Sequence, residues 1–219
     1  MMKDESKPAP RRGGRPSREE AEKLEDKILD AAASLFFSEG YGAVSIEEIA
    51  KRAQISKRTF YARFENKAAI FRAVVHRVIL SLRPPNNATD QLFKGASAEE
   101  ILRRIAPIIL KASLTPQALA LQRVVLAEAM RFPELAPIMN AEGARQEAID
   151  RIAKLLQHEA KSKKHTLTNP AFLAEQFLFM LTAAPQRHAL GLGAPMRAAE
   201  LDAWAKDTVD LFLNGCWSV

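Results

Sequence analysis

At 219 residues, 47% of them hydrophobic, the chain is long enough for one large domain or two smaller ones built around a real core. Its net charge of +6 and pI near 9.5 suit a polyanionic partner, while Cys216, the only cysteine, excludes an intramolecular disulfide and a multi-cysteine zinc site. The N-terminus is charged and proline-containing rather than an apolar signal, and no run approaches the roughly 20 apolar residues of a membrane span, so a cytoplasmic protein without a membrane partner is expected.

Nine glycines, 7% aromatic residues and few β-branched clusters disfavour a sheet protein. Long runs of Ala, Leu, Glu, Lys and Arg predict an all-α chain. Residues 1–16 mix Lys, Arg, Pro and Gly without periodicity and read as a disordered basic arm. Within it, Arg15 stands between glycine and proline, a setting from which an arginine can enter the narrow minor groove of A·T-rich DNA. A tail that only aids solubility is the alternative reading of that arm.

Ser17 followed three residues later by Glu20 is a capping box, opening a long helix to about residue 38, where Gly40 stops it. Its first half is nearly all charged, and its second half, Ile28 through Phe37, supplies the core. A second capping box, Ser45 with Glu48, begins a short helix whose apolar residues are Ile46, Ile49, Ala50 and Ala53. Gln54-Ile55-Ser56 interrupts that pattern, and Ser56 is suited to cap another short helix. There Phe60 and Phe64 make the inward seam, while Lys57, Arg58, Thr59, Tyr61 and Arg63 clothe the rest. Two short helices across a tight turn, the second carrying cations and hydroxyls, have the geometry of a helix-turn-helix over residues 45–64. Segments 1–18 and 57–72 each carry +4, so the basic charge frames this unit and the remainder is close to neutral.

Asn66 can cap a fourth helix, residues 67–82, that ends at Arg83-Pro84-Pro85. The apolar face Ala69, Ile70, Ala73, Val74 and Val78 runs away from the helix-turn-helix and makes this element the link between halves. Further helices are expected over 97–113, 116–130, 134–158, 170–190 and 197–213, with Pro107 and Pro185 kinking or splitting theirs. Phe172, Leu173, Phe177, Leu178, Phe179, Met180 and Leu181 nearly encircle one helix, and Leu201, Trp204, Val209, Leu211 and Phe212 nearly encircle the last. Such helices must be covered on two sides, within one chain or by a second copy. Neither a phosphate-binding glycine loop nor a His-Glu-x-x-His nor a nucleophile elbow is present. His76, His158, His165 and His188 are scattered, so no enzyme, cofactor or metal is expected.

The run Ile28-Leu29-Asp30-Ala31-Ala32-Ala33, with Leu35-Phe36, Glu39-Gly40-Tyr41, the two short helices and Asn66-Lys67, resembles the DNA-binding domain of TetR-type transcriptional regulators. The resemblance covers about residues 24–75, with Gln54 where the family's turn usually has glycine. The segment Arg123-Val124-Val125-Leu126-Ala127-Glu128-Ala129-Met130-Arg131-Phe132-Pro133-Glu134-Leu135-Ala136 is similar to the C-terminal domain of AefR-like members.

The resemblance implies a helix-turn-helix DNA-binding domain (17–66), a linking helix (67–83) and a larger C-terminal ligand-binding and dimerisation domain (84–219). It further implies a homodimer, paired through the last two long helices, that binds a palindromic double-stranded operator and releases it to a small apolar or amphipathic effector. An architectural DNA-binding protein of the same fold, without a ligand, is the rival reading. By the same resemblance Ser45, Tyr61, Arg63 and Lys67 are phosphate contacts, while Lys57, Arg58 and Thr59 lie within reach of base edges. Arg58 can donate two hydrogen bonds to a guanine. Met130, Met139, Phe177 and Met180 are the expected effector-cavity wall, because Met and Phe suit an adaptable apolar pocket.

Overall fold

The computed structural model describes residues 17–83, 91–94, 97–141 and 144–216, and among these there are ten α-helices and no strand. Arg15 lies outside the described residues, as does most of the break after the fourth helix.

Local capping sets the first four helices. Helix α1 (Arg18–Glu39) opens on the Ser17 box, in which the Ser17 hydroxyl accepts from the Glu20 amide at 3.2 Å and Glu20 accepts from the Ser17 amide at 2.8 Å. It ends where Gly40 turns to φ +89°. Helices α2 (Ile46–Arg52) and α3 (Lys57–Tyr61) are capped by Ser45 and Ser56, and α4 (Lys67–Leu82) by Asn66. Between α2 and α3 the Ile55 amide reaches the Ala50 carbonyl and the Gln54 amide that of Lys51, the paired bonds of a Schellman turn. Gln54 takes the left-handed position, φ 53°, where its amide oxygen accepts from Lys27 of α1 at 3.1 Å.

A left-handed glutamine carries about 1 kcal/mol of backbone strain, more than an exposed amide–ammonium bond returns. Gln54→Gly is therefore expected to stabilise the protein by about 0.5–1 kcal/mol. The urea midpoint should rise at constant slope; a lower midpoint would mean that the Lys27 bond outweighs the strain.

Two cores follow. The first joins the inner faces of α1, α2 and α3 to Ile70, Phe71, Val74, Val75, Val78 and Ile79 of α4. It extends to Leu121 and Val124 of α6 (Pro116–Glu128) and to Leu135 and Ile138 of α7 (Leu135–Ala141). Phe36, Tyr41, Phe71 and Phe132 stack edge to face or offset within it, with centroids 5.1–5.6 Å apart. The linking helix is thus wedged into the core of the N-terminal half, and Arg77 on its flank pairs with Asp30 of α1 at 2.7 Å.

The second core gathers α5 (Ala98–Ser113), α8 (Ala144–Ser162), α9 (Pro170–Arg187) and α10 (Ala198–Cys216) around Leu102, Ile152, Leu156, Phe177, Leu181 and Val209. One sequence expectation changes here, and of the two outcomes expected at the prolines, kinking or splitting, the second is removed. The single helix expected over 134–158 is two, because Leu135 and Ile138 are buried in the first core and Ile149, Ile152 and Leu156 in the second. Neither Pro107 nor Pro185 splits its helix; a π-helical turn (His188–Leu192) follows α9, with Gly191 at φ +89°. No helix among the described residues is long and apolar enough to cross a membrane.

Candidate nucleic-acid interface

Helix α3 is held from behind by Phe60, fully buried, and Phe64, nearly so, whose rings lie 5.6 Å apart. That anchoring leaves Lys57, Arg58 and Tyr61 facing outward. Tyr61 rests edge-on against Phe60 and is half exposed, with its phenol at the surface. Among the described residues the Arg58 guanidinium makes no hydrogen bond or ion pair, so its fork of donors is available in the unbound protein. Arg63, half buried, likewise has no described side-chain partner.

The other polar groups of this surface are already engaged. Lys57 Nζ lies 2.5 Å from Glu47 Oε1 of α2, and the hydrogen bond holds the Lys57 pKa above its ordinary value and that of Glu47 below. Both side chains are more than half exposed, so a phosphate can take the place of Glu47 at little cost. Thr59 Oγ1 meets Ser56 Oγ at 2.8 Å. The Ser45 hydroxyl donates to Glu48 Oε2 at 2.7 Å and accepts from the Glu48 amide, which leaves it a capping group rather than an open donor.

Lys67 departs furthest from expectation. Its ammonium turns inward and donates to the carbonyls of Tyr41 and Val44 at 2.9 and 3.0 Å, beneath the start of α2. It also stands 4.5 Å from the Tyr41 ring centroid and 5.5 Å from that of Phe132, within cation–π range. Burial pushes its pKa below the ordinary 10.5, while Glu128 and Glu134 act in the opposite sense. The physical reason for the inward course is that three loop carbonyls and two ring faces converge there, a better anion-like socket than open water.

Around this lysine the loop between α1 and α2 is clasped to the end of α6. The Gly42 amide donates to Glu128 Oε1 at 3.0 Å, and the Tyr41 hydroxyl to Glu134 Oε1 at 3.1 Å. Burial, followed by the Glu134 hydrogen bond, pushes the Tyr41 phenol well above its ordinary pKa, so it remains a donor. A Cβ on Gly42 would stand 2.8 Å from both Glu128 Oε2 and a ring carbon of Phe132, and one on Gly40 2.5 Å from Glu128 Oε1. Both glycines therefore permit close approach. Sequence reasoning missed this contact; the signal available was an aromatic flanked by two glycines, without any sign of a partner 86 residues away.

A cavity of about 320 Å³ opens in the C-terminal half. Ile79 and Leu82 of α4, Ile105 and Ile109 of α5, Ile152 of α8, and Leu178 and Thr182 of α9 form its walls. None of the four expected wall residues lines it. Met130 is 94% exposed at the end of α6, and Met139 packs against the first core. Phe177 and Met180 belong to the second core, but Phe177 faces Phe212 of α10, with centroids 5.1 Å apart. On α9 it is Leu178 and Thr182, one turn apart, that are aimed at the cavity.

Comparison with known proteins agrees with this geometry in both halves. The model of "bacterial regulatory proteins, tetR family" matches residues 28–74, and that of the "AefR-like transcriptional repressor, C-terminal domain" matches residues 100–215. The HTH-type transcriptional regulator AcrR of Shigella flexneri is 26% identical over 151 residues, 68% of this chain and 70% of AcrR. A solved TetR-family regulator from Mesorhizobium loti shares the fold with a TM-score of 0.71 at 27% identity, over 91% of this chain and 98% of its own. The flavonoid-responsive regulator FrrA does so with a TM-score of 0.69 at 28% identity, over 89% and 97%.

Proposed function

Because the chain belongs to the TetR family of bacterial regulatory proteins, whose members are helix-turn-helix DNA-binding regulators, we propose that it is a homodimeric repressor released from a palindromic operator by a small molecule. The observation that carries the DNA reading is α3 itself: a helix pinned by Phe60 and Phe64 that presents an unengaged Arg58 beside Lys57 and Tyr61. Arg58 reads a base edge, Tyr61, Arg63 and Lys57 hold phosphates, and Arg15 enters the adjacent minor groove. Lys67 supports the start of α2 from below instead of touching DNA.

Ligand release is supported by the cavity and by its position. Ile79 and Leu82 form part of its wall, and the same helix begins at Lys67 under the DNA-reading loop. An occupant that moves the C-terminal end of α4 also moves what α4 carries. A 100-fold loss of operator affinity requires about 2.7 kcal/mol of coupling, an ordinary allosteric magnitude. FrrA, 28% identical, is named as flavonoid-responsive, which supports a small-molecule response here without indicating the same ligand.

Arg58→Ala is expected to cost about 1–3 kcal/mol on the cognate site, relax preference at one base pair and leave binding to random DNA nearly intact. Footprinting of genomic fragments supplies the site, and its half-sites should lie about 34–36 Å apart or at a multiple of that spacing. Equal losses on operator and random DNA would remove Arg58 from base reading.

A further inference from the structure

The cavity's wall and its mouth differ in chemistry. Inside, aliphatic groups dominate, and the few polar side chains bond within the protein: the Thr182 hydroxyl donates to the Leu178 carbonyl at 2.8 Å and the Gln186 amide to the Ser113 carbonyl at 3.4 Å. A ligand body rich in hydroxyls or charge would lose its hydration there without replacement.

Three arginines, Arg83, Arg145 and Arg151, stand at the mouth against one acid, Glu147. Glu147 serves two of them, with Oε2 at 2.8 Å from Arg83 and Oε1 at 3.3 Å from Arg151. Among the described residues Arg145 pairs with Glu175 at 4.0 Å and lies over the Phe179 ring at 4.4 Å. With Glu175 counted beside Glu147, three guanidiniums face two described carboxylates, an excess positive charge of one, and the guanidiniums are 35–48% exposed and remain partly hydrated. An anion arriving there gains forked, charge-assisted hydrogen bonds without entering a dry interior. A cation meets net repulsion, and a neutral molecule gains neither.

Resting on the reading of a ligand-responsive regulator, we propose that this site takes an amphiphile with one anionic group, its apolar body between α4, α5, α8 and α9 and its anion among Arg83, Arg145 and Arg151. The volume, about 320 Å³, is at the small end of ligand pockets, which run from about 300 to 1,000 Å³. A short chain or a pair of fused rings fits inside, and a bulky headgroup stays outside. Arg83 is the residue next after α4, so the anion pulls on the C-terminal end of the helix whose N-terminal end underlies the DNA reader.

The test is calorimetric titration of the full chain with dodecanoate, dodecanol and dodecyltrimethylammonium below their aggregation limits. Dodecanoate should bind about tenfold more tightly than the alcohol, and the ammonium most weakly. Arg145→Gln and Arg83→Gln should each remove most of the carboxylate's advantage while leaving the alcohol unchanged, and Ala112→Phe, which narrows the cavity from α5, should weaken all binding. Equal affinity for the carboxylate and the alcohol, or binding indifferent to Ala112→Phe, overturns the proposal. Operator titration separates the two readings. Charge-selective binding with no effect on operator affinity upholds the site and defeats ligand release, whereas release by an uncharged compound competing for the same cavity overturns the anion and upholds ligand release.

Discussion

Replacing Lys67 with methionine is expected to lower stability by about 2–3 kcal/mol and to leave the salt dependence of DNA binding unchanged. The ammonium bonds two loop carbonyls at 2.9 and 3.0 Å in a partly buried setting, and hydrogen bonds to charged groups contribute about 1.5–3 kcal/mol each before relaxation. Methionine keeps most of the packing against Tyr41 and Phe132 but leaves the carbonyls without that donor. A lysine on a phosphate behaves in the opposite way: its loss spares stability and reduces the slope of log affinity against log salt by about one. Urea unfolding and operator titration at several salt concentrations distinguish the two. Unchanged stability with a reduced slope would return Lys67 to the DNA surface. Operator affinity should still fall, because the carbonyls that Lys67 holds lead directly into Ser45 and the start of α2.

How far the sequence reached depends on how local the cause was. The boxes Ser17/Glu20 and Ser45/Glu48, the Ser56 cap and the Asn66 cap are each written within four residues, and each forms as read. The inward seam of Phe60 and Phe64 follows from helical period alone. The left-handed position at Gln54 was legible as the place where the family's glycine is missing.

What the sequence did not disclose was long-range or rotational. Lys67 was assigned by type and position, whereas its direction is decided by carbonyls 23 and 26 residues earlier. The cavity residues were chosen because Met and Phe line adaptable pockets, but a difference of one residue on α9 rotates a side chain by about 100°, enough to separate Leu178 at the cavity from Phe177 against Phe212. The Glu128 clasp combines an acid, two glycines and an aromatic that nothing in the intervening chain associates. The mouth arginines come from the end of α4 and from α8, and only packing brings them together.

Phe179→Glu is expected to yield folded monomers whose operator affinity is lower by about 100- to 10,000-fold, the factor by which linking two half-site readers exceeds one. On α9, Phe172 and Phe179 are a heptad apart and about half exposed, and Leu211 of α10 is 66% exposed, so these helices present large apolar side chains that the protomer itself does not cover. Such exposure on the two helices proposed to pair with a second copy supports that pairing, and a charge there would be stranded in an apolar interface. Within the protomer the change is mild, since a half-exposed position tolerates a carboxylate and Arg145 already lies beside it. Phe212 supplies the contrast. From the sequence it counts, like Phe179, among the apolar residues encircling the two helices expected to pair, but it is only 6% exposed and packs on Phe177. Phe212→Glu should therefore unfold the protomer rather than dissociate a dimer. Sedimentation and far-UV circular dichroism of both variants decide the matter: a helical Phe179→Glu chain that still sediments as a dimer places the interface on another face, and a folded, monomeric Phe212→Glu chain returns that residue to it.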